Sequence, residues 1–301
     1  MPPPALAAPP ILAAKLGPAA AAIEARHRAD VRAGRWRQLG IVLLLLALSL
    51  ASGWYSEFSA TRLLEGLPGV ADYVGRTLPV LRAESLGADL REWYWNLGEW
   101  LLLLVDTALI AYVGTVVGAG LALLLSFPAS ARHTPHPALA FAVRRVLETA
   151  RSVPVLVFAL IFVFAFGLGP LPGAMALAVH TMGALGKLYA EIHENAEAAP
   201  VEAVRAAGGS WVQQMRFGVL PQSMPGVVSY GLLRFEINVR EASILGFVGA
   251  GGIGEELYTV VRRFEYADIS ALVLLILATV TLLDFACTRL RRRITGALSA
   301  A

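Results

Sequence analysis

The chain has 301 residues, 57% hydrophobic and 16% charged, with a formal net charge of +3. Soluble domains carry about a quarter charged residues, so this composition excludes a single water-facing globule and points to several membrane crossings. A single cysteine, Cys287, excludes an internal disulfide framework and any cysteine-based zinc site.

In chain order, MPPPALAAPP leads into a basic stretch with Arg26, Arg28, Arg32, Arg35 and Arg37. No short apolar core with a small-residue cleavage site follows, so residues 1–36 are expected to be a largely disordered cytoplasmic tail rather than a secretory signal. Residues 37–98 are expected to hold a first transmembrane helix at 39–55 and an extracytoplasmic segment. Further spans of about 20 apolar residues are expected at 100–127, 146–166, 174–189, 224–247 and 269–287, within a membrane core at 99–290. Residues 291–301 form a second tail.

Arginine and lysine set the orientation. Arg132, Arg144, Arg145, Lys187, Arg205, Arg216 and the run Arg289, Arg291, Arg292 and Arg293 fall on the side of the basic N-terminus. The segments 56–99 and 249–268 carry no basic excess. The positive-inside rule then puts both termini in the cytoplasm and predicts an all-α polytopic membrane protein of about six transmembrane helices.

Span two carries Gly114 and Gly118 as G-x-x-x-G, a spacing for close helix packing. After it, His133 and His136 sit in a Pro-rich loop without a third ligand and read as solvated basic residues. Arg151 near Pro154 either snorkels to inner headgroups or lines the inner mouth. In span four, Lys187 and Glu191 are spaced to pair at the interface. His180 is either a packed histidine or a contact on a path through the membrane. GALGKL at 183–188 lacks the spacing of a phosphate-binding loop, so the chain has no ATPase site of its own.

The most informative stretch is EAAPVEAVRAAGGSWVQQMRFGVLPQSMPG, in the cytoplasmic segment 191–221. Residues 200–207 predict a short Ala-rich helix with Glu202 in its first turn. Gly208 and Gly209 stop it. Ser210 can cap a second helix over 211–217, and Pro221 starts the next span. Glu202, Ala203, Gly208, Leu220 and Pro221 match the EAA motif of ABC-importer permease subunits, with Val204 and Gly218 as departures from it. The stretches RSVPVLVFALIF, HTMGALGKLYAEIHE and LLRFEINVREASILGFVGAGGIG resemble the phosphonate/phosphite branch of that family.

The resemblance implies a type I importer core in the bacterial inner membrane, with no catalytic or metal site and no cofactor of its own. ATP and Mg would be bound by two separate ATP-binding subunits, reached through Glu202, Ala203, Gly208, Trp211, Leu220 and Pro221. It also implies a homodimer and an extracytoplasmic phosphonate-binding protein that delivers substrate. The basic residues follow the membrane topology, so the expected surroundings are a lipid bilayer and no nucleic acid.

Span five carries Arg234, Glu236, Asn238, Arg240 and Glu241. Ionisable groups inside a bilayer face the bundle interior or a wet path. Glu236 and Arg240 stand at i, i+4, where they either neutralise each other and pin helix packing or, with Arg234, Asn238, Glu241 and His180, line a path suited to an oxyanion. The same cluster is the only place for the catalytic set of an alternative, a polytopic membrane enzyme acting on phosphate esters. The following GFVGAGGIGEEL contains Gly249, Gly251 and Gly254 as G-x-G-x-x-G, the spacing of a dinucleotide fingerprint. No strand leads into it, so Gly249, Gly251, Gly252 and Gly254 are expected to make a sharp turn with close helix approach, which the resemblance suggests is part of an outer gate.

Overall fold

The computed structural model describes residues 18–56 and 59–298; of the expected tails at 1–36 and 291–301, residues 1–17 and 299–301 lie outside the described residues, and 18–36 and 291–298 continue the adjoining helices. All regular elements among them are helical. The chain divides into two units at Asp72/Tyr73.

The first unit contains α1 (Pro18–Tyr55) and most of α2 (Ala60–Thr77). Helix α1 starts well before the expected span, because the Ala- and Arg-rich residues leading into it are strong helix formers. Its Ala29–Tyr55 part is long and apolar enough to cross a membrane.

The second unit continues with α3 (Leu86–Trp93), α4 (Leu97–Ala129), α5 (Pro137–Ser152), α6 (Val155–Phe166) and α7 (Pro170–Glu194). Next come the short α8 (Ala198–Ala206) and α9 (Trp211–Gln213), a π-helical turn at Gln214–Val219, and α10 (Leu220–Leu245). A 3-10 turn at Gly246–Val248 leads to α11 (Ile253–Arg263) and the final α12 (Tyr266–Leu298). Among the described residues three helices are long and apolar enough to span a bilayer, or five if each of two bent helix pairs counts as one span.

The third expected span is not one helix. It breaks between α5 and α6 with an 88° bend. Pro154 cannot donate a backbone bond, and it forces Val153 into extended backbone (φ −80°, ψ 125°). The fourth expected span is the centre of the bundle. Helix α7 packs on α4, α5, α6 and α10, so its Lys187, His180 and glycines need not face lipid.

Between apolar helices in a bilayer, close contact of small residues replaces the hydrophobic effect as the source of association. The predicted G-x-x-x-G of α4 does this. A Cβ on Gly114 would lie 2.6 Å from Leu177 Cβ, and one on Gly118 would lie 2.6 Å from the Ala178 carbonyl of α7. Gly183 of α7 admits the end of α5, with Leu147 O at 2.7 Å from a Cβ placed there. Around these contacts Ile110, Ala111, Ala159, Leu177, Val239 and Leu245 join α4, α6, α7 and α10 in one core.

Candidate functional site

The residues of the 191–221 loop form a compact knob. Val201 of α8 is buried with Ala196, Met215 and Val219, and Phe127 and Trp211 pack alongside. Gly208 ends α8 with φ +82°, a left-handed conformation that disfavours other residues. Ser210 starts the next helix, its N–H donating to Gln213 Oε1 at 2.7 Å. Helix α9 does not stop before α10, as the sequence suggested. It runs through the π-helical turn into α10, directly before Pro221, which supplies no N–H to that turn. The departure at Gly218 has a physical reason, since a Cβ there would lie 2.9 Å from Val201 Cα. Glu202, Ala203, Gly208 and Pro221 are exposed and Leu220 is half-buried. Val212 and Phe217, at 64% and 60% exposure, add an apolar surface to the same loop.

Trp211, expected as a partner contact, is tied inward. Its Nε1–H donates to the carbonyl of His133 at 2.7 Å. His133 is therefore not a solvated loop residue: it is half-buried, and its Nε2 lies 2.9 Å from the carbonyl of His193 in α7. The fully buried His193 in turn meets Ser126 Oγ at 3.0 Å and stacks on Phe127, with ring centroids 4.7 Å apart. Arg132 donates to the carbonyls of Glu194 and Ala196, and Arg144 donates to Ala129 O at 2.7 Å and pairs with Glu194. These bonds join the α4–α5 loop, the end of α7 and the start of α9. No motif marks this joint, because its bonds run largely to main-chain carbonyls.

Farther along α7 and α10 the charged residues separate into two groups. Arg234 is buried and bonds to three partners: His180 Nδ1 at 2.6 Å, Glu241 Oε2 at 2.9 Å and Thr181 Oγ1 at 3.3 Å. Arginine only donates, so His180 Nδ1 is an acceptor and its proton sits on Nε2. Asn238, fully buried, donates from Nδ2 to Thr115 and Thr181 Oγ1, both at 2.8 Å, while its Oδ1 has no partner. This group stitches α4, α7 and α10 together.

Arg240 turns away from the core. It pairs with Glu236 at 2.6 Å, the predicted i, i+4 bond, and its side chain is 52% exposed. Asp284 of α12 lies close to Glu236, so the pair sits beside a second acid. Sequence reasoning missed Thr115, Thr181 and Asp284. Single threonines within apolar runs and a lone acid near the end of a span carry no spacing signal that would mark them.

The glycine-rich turn lies between helices, with no strand before it. Gly249, Gly251 and Gly252 have φ of 78°, 80° and 77°. A Cβ on Gly254 would fall on the Ser243 carbonyl, which brings α11 against the end of α10. The Ile253 N–H donates to Thr107 Oγ1 of α4 at 2.9 Å, and Gly169 N–H donates to the Gly249 carbonyl at 2.8 Å. The turn is built from helix contacts, and its amide at 253 is committed within the chain.

Residues 114–296 match the family model described as binding-protein-dependent transport system inner membrane component. The phosphite transport system permease of Stutzerimonas stutzeri is 41% identical over 253 residues, 83% of this chain and 87% of that protein. The phosphate-import permease of Mycolicibacterium smegmatis is 34% identical over 81% of this chain and 44% of its own length. The fold is also similar to a permease chain in an inward-facing structure of the MetNI methionine ABC transporter, with a TM-score of 0.56 and 20% identity over 65% of this chain and 95% of that one. On these matches the chain belongs to the binding-protein-dependent transport system inner membrane component family.

Proposed function

We propose that the chain is the transmembrane permease of a bacterial ABC importer that carries phosphite or phosphonates inward. The observation that carries this reading is the 41% identity, over most of both chains, to a phosphite transport permease. Two copies would pair in the inner membrane with both termini cytoplasmic. Two ATP-binding subunits would dock on the exposed face of the knob at Glu202, Ala203, Gly208, Val212 and Phe217. An extracytoplasmic binding protein would deliver substrate near the glycine-rich turn, which serves as an outer gate.

Motion of the knob would reach α7 through Trp211, His133 and His193, and α7 carries His180 and Thr181 of the buried network. Arg240 and Glu236 present a half-exposed charged pair beside that network. A guanidinium suits a phosphorus oxyanion, and the paired carboxylate keeps the hold weak enough for release. Arg234, Asn238, Glu241 and His180 would shape the same path by fixing the three helices around it.

A second reading, inorganic phosphate as cargo, is favoured by the similarity to the mycobacterial phosphate-import permease. The test is uptake by the complex reconstituted in vesicles, comparing labelled phosphite, an alkylphosphonate, phosphate and methionine. Phosphite or phosphonate is expected to accumulate in an ATP-dependent manner and methionine is not. Accumulation of phosphate alone would select the second reading, and uptake of methionine alone would sink both.

A further inference from the structure

Helix α2 precedes the region matched by the family model and has no part in the proposed transport path. At about 100° per residue, Leu63, Leu64, Leu67, Val70, Ala71 and Val74 fall within one sector roughly 120° wide. Arg62, Glu65, Asp72 and Arg76 fall on the opposite side. The large members of the stripe are open, with Leu63, Leu64, Leu67, Val70 and Val74 between 48% and 64% exposed.

The start of α2 is constrained in height. The preceding span ends at Trp54 and Tyr55, which are 89% and 92% exposed and form an aromatic end of the kind that marks a membrane–water interface. Only four residues separate Tyr55 from Ala60, at most about 18 Å of extended chain. A helix of 18 residues, about 27 Å long, that starts close to interface level and carries an apolar stripe along one side is suited to lie along the surface rather than to cross it.

We propose that α2 is an interfacial helix whose Leu63–Leu64–Leu67–Val70–Val74 stripe is buried in the outer leaflet of the bilayer. The stripe continues the lipid-facing surface of the span before it. Its centre is purely aliphatic, without the Trp, Tyr or Arg anchors that dominate protein–protein hot spots. The opposite face carries two acids and two bases, so apolar burial, not attraction to anionic headgroups, would hold the helix down. The proposal rests on the membrane family and on the orientation of α1, not on the cargo.

Because Cys287 is the only cysteine, a Cys287→Ser background allows single-site labelling of the full chain. Cysteines introduced one at a time at Leu64, Leu67, Val74, Glu65 and Gly69 would carry an environment-sensitive fluorophore. The protein would sit in vesicles of phosphatidylethanolamine and phosphatidylglycerol. Labels at 64, 67 and 74 are expected to emit to the blue of those at 65 and 69. They should be quenched several-fold more by nitroxide-bearing lipids than by aqueous iodide, with the reverse at 65 and 69. Equal iodide quenching at all five positions would overturn the proposal. So would shielding that appears only when the substrate-binding protein is added, or shielding that disappears as the protein is diluted in the bilayer, which would assign the stripe to a protein partner or a second copy. Uptake measurements on the same variants report separately on the transport reading.

Discussion

Arg234 sits inside the bundle with its Nη2 shared between His180 and Glu241 and its Nε on Thr181. Removing one member of a buried ion pair leaves the other uncompensated, which costs about 3–5 kcal/mol, whereas replacing both by apolar residues is often close to neutral. Arg234→Met is therefore expected to lower the thermal stability of the purified protein by an amount of that order, and Arg234→Met with Glu241→Leu should recover most of the loss. Thermal unfolding in detergent measures both. A double variant no more stable than the single one would show that Arg234 is held by something other than Glu241. The sequence pointed to a costly charge in span five, but two of its three partners, His180 and Thr181, come from α7, more than 50 residues away in the chain. By contrast, the Glu236–Arg240 bond follows from helical spacing alone and is present.

The departure from the EAA motif at Gly218 is settled between elements, by the packing of α8 on the helical turn before α10. A Gly218→Ile variant restores the residue the motif carries, yet its Cβ would press on Val201 Cα. Overpacking of this kind costs about 1–3 kcal/mol. The variant is expected to displace α8 and to reduce the amount of ATP-binding subunit that co-purifies with the permease. Undiminished co-purification with unchanged stability would mean that α8 can move without cost. The α5–α6 break belongs to the same scale. Pro154 was visible in the sequence, but a 20-residue apolar window averages across the 88° bend, and the end of α5 packs where Gly183 of α7 leaves room for it.

For the whole molecule, the asymmetry of arginine and lysine along the sequence predicts the orientation. In the Cys287→Ser background, a cysteine at Glu265 should react with a membrane-impermeant maleimide in intact spheroplasts. A cysteine at His136 should react only after lysis. The opposite pattern would invert the topology and remove the knob at α8 and α9 from the ATPase side.

Apolar run length, charge asymmetry and the Glu202–Pro221 spacing act locally along the chain. They were enough to determine an all-helical membrane protein, the helical character of the 200–217 loop and, with the motif resemblance, the importer family. Which polar groups meet was decided by tertiary structure. Asn238 finds Thr115 and Thr181 on two other helices, Trp211 finds the His133 carbonyl, and Gly114, Gly118 and Gly183 let α4 and α5 approach α7 closely. In a bilayer those contacts depend on the fit between helices and not on the apolarity of each one, and that fit has no periodic signature in the sequence.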